Sequence, residues 1–448
     1  MPGDLDEMTS PPAPQKFDLP EPLRDNHLSP TTPANATQRT SIPWLGPGLI
    51  MAAAGIGASD IITATVGGAT YGVTLLWALA LGAFFKFVLT EGLARWQLAT
   101  GLTALEGWAR YLPRWVLILF TGYLVLWAMA VSGALISGCG LAIENISRGA
   151  IPRSWGACAH AVVAFAFIYA GRTGGFARVM KPLIALMFFS IVACAAWTFR
   201  EPQLALKGLF VPAIPAKGGA YVLSLIGGIG GSVTLLSYNY LLRDEKTVKN
   251  LRRVRIDLAV AYLFTAVFGL SVMLIAHQVF YAPGITITDR EAVSRMAGQL
   301  SQVTGQAGFY IYSIGFWAAV LASLFGVWQT VPSIFADCYS LLRKMPEEQR
   351  ERALRTSSPP YRTALAFMAL VSVPFAFLGR PLLVVVVFTV IGSLFIPFLA
   401  ATLLYLNNRV PWPSAIRHNH AVTNAVLILV LLLFLIVGGW EISTLLTR

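Results

Sequence analysis

The chain has 448 residues, 56% of them hydrophobic and only 12% charged, with a net charge of +12 and a mean hydropathy of +0.66. Soluble domains carry about 25% charged residues. The composition therefore excludes a soluble enzyme, a disordered scaffold and a nucleic-acid binder, and points to a polytopic membrane protein; an all-α fold is expected, with no catalytic residues and no cofactor.

Residues 1–43 hold nine of the 26 prolines and few clustered aliphatics. They read as a disordered tail with no secretory signal peptide. From Trp44 onward the chain is a succession of apolar stretches, at about 45–69, 72–99, 115–142, 156–171, 179–199, 219–242, 255–280, 308–340, 363–379, 382–406 and 422–445. A helix needs about 20 apolar residues to cross the hydrocarbon core, so eleven transmembrane helices are expected, making one transporter domain over 44–448. The cysteines Cys139, Cys158, Cys194 and Cys338 fall in or beside these stretches without a CxxC pair, and read as small core residues.

If the tail is cytoplasmic, 22 of the 33 Lys and Arg lie in inside segments and nine in outside ones. Most of that excess sits in two loops, from Arg243 to Arg255 and from Arg343 to Arg362. By the positive-inside rule the N-terminus is cytoplasmic and, after eleven spans, the C-terminus is outside the cell membrane.

The first and sixth spans carry nearly the same string, Gly55-Ile56-Gly57-Ala58-Ser59 and Gly228-Ile229-Gly230-Gly231-Ser232. Each helical glycine costs about 1 kcal/mol relative to Ala, so paired strings five helices apart predict paired helix breaks. That is the pattern of inverted-repeat transporters, with repeat one at about 44–200, repeat two at about 218–406 and an extra helix at about 422–445. Close packing of small residues is the blander reading of either string alone. At such breaks, half-helix N-termini offer amide donors to an anion and half-helix ends offer carbonyls to a cation. No GxxxxGK[ST] string occurs, so transport is not driven by this chain's own ATP hydrolysis.

Around these helices the sequence resembles the natural-resistance-associated macrophage protein (NRAMP) family of metal-ion transporters. The resemblance rests on GPGLIMAAAGIGASDIITATVGGATYGVTLLW (46–77), ATG (99–101), LKGLFVPAIP (206–215), the sixth helix, Arg255-Ile256-Asp257 and IPFLAATLLYLNNR (396–409). It implies a leucine-transporter-like fold of 5+5 inverted repeats. The family's first-helix Asp-Pro-Gly-Asn falls on Gly57, Ala58, Ser59 and Asp60, and its sixth-helix Met-Pro-His falls on Thr234, Leu235 and Leu236. A tenth-helix glutamine falls on Thr389, and the acidic third-helix proton route has no counterpart in WAMAVSGALISGCG (127–140). A thioether and carboxylate set is what selects transition metals. Its loss argues against proton-coupled Mn²⁺ or Fe²⁺ transport.

The candidate substrate-binding residues are Gly57, Ala58, Ser59, Asp60, Gly230, Gly231, Ser232, Thr234, Ser237 and Thr389. Asp60 has two readings, a hard-cation ligand joined by Ser59, the Gly231 carbonyl and Thr234, or a helix cap. Lys86 is a candidate for drawing an anion toward the site. Its bland alternatives are a pair with Glu91 or Asp337, or snorkelling; Glu91 and Arg95 already stand at i,i+4 spacing. Ser232, Thr234 and Ser237 either bond an oxyanion or their own preceding carbonyls. His160 and His277 read as satisfied core groups, while Arg417-His418-Asn419-His420 is a weak metal signal. Three functions are weighed. The lead is transport of a small oxyanion such as bicarbonate, with Na⁺ or H⁺ as co-ion. The alternatives are hard divalent-cation transport through Asp60, and a membrane sensor or scaffold.

Overall fold

The computed structural model describes residues 46–171, 173–215, 218–244, 250–286, 292–378, 381–412 and 419–446. The tail expected at 1–43 and the Arg417-His418 part of the last loop lie outside them. Every regular element among the described residues is helical.

In chain order these are α1 (Pro47–Gly55), α2 (Ala58–Tyr71), α3 (Leu76–Thr100), α4 (Ala104–Tyr111), α5 (Arg114–Ile146), α6 (Arg153–Tyr169), α7 (Thr173–Thr198), α8 (Pro202–Phe210) and α9 (Gly219–Gly228). There follow α10 (Ser237–Asp244), α11 (Leu251–Ala276), α12 (Ala292–Leu342), α13 (Glu347–Ala353), α14 (Pro359–Phe377), α15 (Pro381–Ser393), α16 (Phe395–Arg409) and α17 (Ala421–Leu446). Among the described residues, eight helical spans are long and apolar enough to cross a membrane, and α1 and α2 taken as one span make a ninth, bent by 62° at the break. α6 is 17 residues long, and the described apolar part of α17 is Ala421–Ile436. These two occupy the fourth and eleventh expected positions.

Both predicted breaks are present. α1 ends at Gly55 and α2 starts at Ala58, with Ile56 and Gly57 extended between them. α9 ends at Gly228, and Gly230 and Gly231 take φ of +74° and +84°. Only glycine adopts that conformation cheaply. A one-turn 3₁₀ segment, Val233–Leu236, then leads into α10. The breaks touch each other, because a Cβ on Gly55 would lie 2.6 Å from the Gly230 carbonyl oxygen. Close approach of two backbones thus accounts for Gly55, and positive φ for Gly230 and Gly231. α12 departs from the expected single straight span. It starts at Ala292 and is interrupted at Gly305, where φ is +71°.

The core is aromatic and small-residue packing around these breaks. Trp96, Trp108, Trp127 and Trp328 are fully buried, and α1 and α2 pack against α11 and α12. Exposed Trp115, Leu119, Val162, Phe189 and Leu263 match the lipid-facing side of a membrane bundle.

Candidate functional site

Asp60 stands at the third position of α2 and is 3% exposed. Its Oδ2 accepts from the Gly57 N–H at 2.8 Å, closing the N-terminus of α2, and its Oδ1 accepts from the Gly230 N–H at 2.9 Å. The carboxylate is therefore a cap and a cross-brace between the two breaks. Of the cation ligand set expected around it, the Gly231 carbonyl is engaged elsewhere.

Its partner there is Lys86, on α3 and fully buried. The ammonium donates to the Gly227 carbonyl at 2.9 Å and to the Gly231 carbonyl. Neither expected pairing of Lys86 is found. Glu91 instead binds Arg95 at 3.1 Å and Arg255 at 2.8 Å, and Asp337 binds Arg350 at 2.9 Å. The physical reason is that the end of α9 presents free carbonyls and the negative end of a helix dipole, a stronger attractor for a buried cation than a carboxylate already paired.

Between the breaks lies a cavity of about 10 Å³ lined by Gly55, Gly57, Ala58, Ser59, Gly231 and Thr234, among others. That is close to the space one water-sized particle needs. Ala58 and Ser59, the first two residues of α2, line it, and the first N–H groups of an α-helix have no intrahelical acceptor. Thr234 is 2% exposed, and its hydroxyl is without a partner among the described residues. Trp127, which also lines the cavity, donates from Nε1 to Ser232 Oγ at 3.0 Å.

The other expected residues divide. Ser237 donates to Thr330 Oγ1 at 2.9 Å and so does not make the back-bond to its own helix. Thr389 does, donating to the Val385 carbonyl at 2.9 Å, although its methyl lies near Gly228. His160 is satisfied by the Gly156 carbonyl and Trp317 Nε1. His277 stacks on Tyr281 with its Nδ1 unpartnered. Sequence reasoning missed Trp127 and Ser323; the latter donates to the Ala54 carbonyl at the end of α1, at 2.7 Å. A buried indole N–H usually finds an acceptor, which was the available signal for Trp127.

Below the site, two polar networks tie the half-helices to the bundle. Asp257 Oδ2 accepts from the Gly48 N–H at 2.8 Å and from the Tyr238 hydroxyl at 3.0 Å. Asp337 accepts from the Tyr240 hydroxyl at 2.7 Å and pairs with Arg350, which also pairs with Glu106. Burial holds the Arg350 guanidinium below its ordinary pKa, against the opposing pull of Glu351.

No three His, Cys, Asp or Glu side chains among the described residues are placed to hold a metal ion together.

Two touching helix breaks in an all-helical apolar bundle define a transporter of the leucine-transporter-like class. A family model described as natural resistance-associated macrophage protein-like matches residues 48–447, and the chain belongs to that family. It is 25% identical over 301 residues to the divalent metal cation transporter MntH of Deinococcus radiodurans, covering 64% of this chain and 66% of that protein. It is 26% identical to MntH of Bacillus subtilis, covering 64% and 68%. These matches span about two thirds of the relatives' length. Among solved structures, a manganese transporter of Eremococcus coleocola in complex with an aromatic bis-isothiourea compound superposes with a TM-score of 0.72 at 14% identity, over 89% of this chain and 86% of that one. The nucleobase-cation-symport transporter Mhp1 gives 0.54 at 14% identity, over 90% and 93%.

Proposed function

We propose that this chain is a secondary transporter that moves a small inorganic ion by alternating access through the cavity between the broken helices, and that the ion is a small oxyanion of the bicarbonate class. One observation carries the reading. Both Asp60 oxygens are taken by backbone amides, and the cavity is lined by Ala58 and Ser59 of the first turn of α2 and by Thr234, whose hydroxyl has no partner among the described residues. The start of a helix with free N–H groups favours an anion. Asp60 counted against an anion as long as its charge was free, and that objection is met by the amides that hold it and by nearby Lys86.

The cavity holds one water-sized particle, so an anion of four heavy atoms enters as α1 and α2 separate from the Gly230–Ser232 turn. The positive-inside pattern supports a cytoplasmic N-terminus. A second reading, a hard divalent cation, is favoured by the relatives that are named divalent metal cation transporters. It requires neutral oxygens alone to replace the cation's hydration shell, and divalent sites ordinarily recruit carboxylates.

Uptake into proteoliposomes of the purified protein decides between them. Internal alkalinisation on adding bicarbonate, without entry of Mn²⁺, Mg²⁺ or Ca²⁺ into dye-loaded vesicles, is the expected result. Saturable metal entry without bicarbonate-dependent alkalinisation overturns the anion reading and establishes the cation one.

A further inference from the structure

A buried ammonium is among the most expensive groups a membrane bundle can hold. Lys86 is fully buried, and its donors are aimed at two carbonyls of one backbone turn, Gly227 at 2.9 Å and Gly231. Those carbonyls flank the point where α9 stops and the chain passes through two consecutive positive-φ glycines. An interrupted helix leaves such oxygens without N–H partners, and its C-terminal end carries the negative pole of the dipole. The charged side chain acting on Lys86 from the facing break is Asp60, and the two charges act on each other. Backbone oxygens at a half-helix end beside one carboxylate are the ligand type a monovalent metal cation takes in broken-helix carriers. Here the position is already filled, by a side chain.

We propose that the Lys86 ammonium is a tethered cation: it occupies a monovalent-cation seat formed by the Gly227 and Gly231 carbonyls beside the Asp60 charge, and so frees the carrier from binding a separate ion there. The elements packed around this point support the assignment. Glu91, one turn further along α3, is committed to Arg95 and Arg255. Thr90 donates to the Lys86 carbonyl and bonds the Tyr262 hydroxyl, while the ammonium itself bonds the Gly227 and Gly231 carbonyls. Gly82, one turn before it on α3, packs directly on the α9 backbone at Ile226. That contact holds α3 close enough for Lys86 to reach over the end of α9.

The consequence is a cation dependence that appears only when the tether is cut. Lys86→Ala leaves a vacancy between the same oxygens, which a free cation of ammonium or sodium size can enter. Lys86→Met fills the space without charge. The experiment is thermal unfolding of full-length protein in detergent, titrated with methylammonium chloride or NaCl against choline chloride at constant ionic strength. Wild type is expected to be unmoved. K86A is expected to start lower and recover saturably by about 2–4 °C, as a ligand that binds only the folded state stabilises it. K86M is expected to start low and stay there. If K86A yields no folded protein, the double variant D60N/K86A decides, since it removes both charges and is expected to fold without any added cation. The proposal is overturned if K86A ignores both cations, if K86M recovers equally, or if D60N/K86A is no better folded than K86A. The inference uses the transport site of the proposed function but not the sign of its substrate. These melts contain no bicarbonate and no divalent metal, so they fail or succeed separately from the uptake assay.

Discussion

The Asp60 carboxylate and the Gly230 amide, 170 residues apart in sequence, meet at 2.9 Å, so one side chain of the first helix break fixes the backbone of the second. The same carboxylate caps α2 through Gly57. Asp60→Ala removes the acceptor of two buried N–H groups. Each costs about 1–3 kcal/mol when left unsatisfied. The expected outcome is a loss of about 3 kcal/mol of stability, read as a lower unfolding midpoint in detergent. Asp60→Asn retains one acceptor and is expected to lose less. A variant that melts like wild type removes the cross-brace from the account.

The contact between the breaks predicts which glycines are indispensable. A methyl on Gly231 would fall 2.1 Å from Thr234 Oγ1, at a φ of +84°. Left-handed backbone costs about 1–2 kcal/mol for a residue with a side chain, and overpacking about 1–3 more. Gly231→Ala is therefore expected to lose about 2–5 kcal/mol and to transport poorly. Gly122→Ala, in the interior of α5 with nothing within 4 Å of the added carbon, is expected to be neutral or to gain up to about 1 kcal/mol. Comparing the two melting curves checks the pair, and equal losses would refute the backbone-contact argument.

The breaks were legible because dense glycine in an apolar helix has few explanations, and its recurrence five helices later removes most of them. The fold followed from that repeat and from the family resemblance, which the whole-chain family match supports. The cap role of Asp60 was readable from its position after Gly57-Ala58-Ser59. The brace to Gly230 was not, since nothing local encodes a partner 170 residues away. Lys86 stands out in the sequence as a cation in an apolar helix, but its acceptors do not. Helical periodicity lists side chains on the same face, whereas its acceptors are main-chain oxygens exposed only because α9 ends where it does. Trp127 is one of 12 tryptophans, and nothing local marks which of their N–H groups meets a hydroxyl 105 residues away.

A second network lies away from the site. Arg350 on α13 joins Glu106 of α4 to Asp337 of α12, and all three are buried. Arg350→Ala leaves two buried carboxylates without their cation, a loss that typically costs about 3–5 kcal/mol. Arg352→Ala touches only the exposed 3.7 Å pair with Glu348 and is expected to change stability by less than about 0.5 kcal/mol. Thermal melts of the two neighbouring variants test this directly. Similar midpoints would mean that the buried network contributes no more than a surface pair.

The Thr234 hydroxyl separates a functional role from a structural one. It is buried at the cavity with no partner among the described residues, so the folded protein gains nothing from it. Thr234→Val keeps the shape and removes an unsatisfied polar group, which leaves stability unchanged or raised by up to about 1 kcal/mol. If the hydroxyl binds the transported ion, its removal costs a hydrogen bond to a charged group, about 1.5–3 kcal/mol. That corresponds to a loss of about 10- to 150-fold in uptake efficiency. Thr389→Val is the matched control, because that hydroxyl is already committed to its own helix at Val385. Initial uptake rates across a range of substrate concentrations, with unfolding midpoints from the same preparations, measure both quantities. A Thr234→Val protein that melts normally and transports normally would show that the ion passes without touching this hydroxyl, and the donor set proposed for the cavity would lose its one side-chain member.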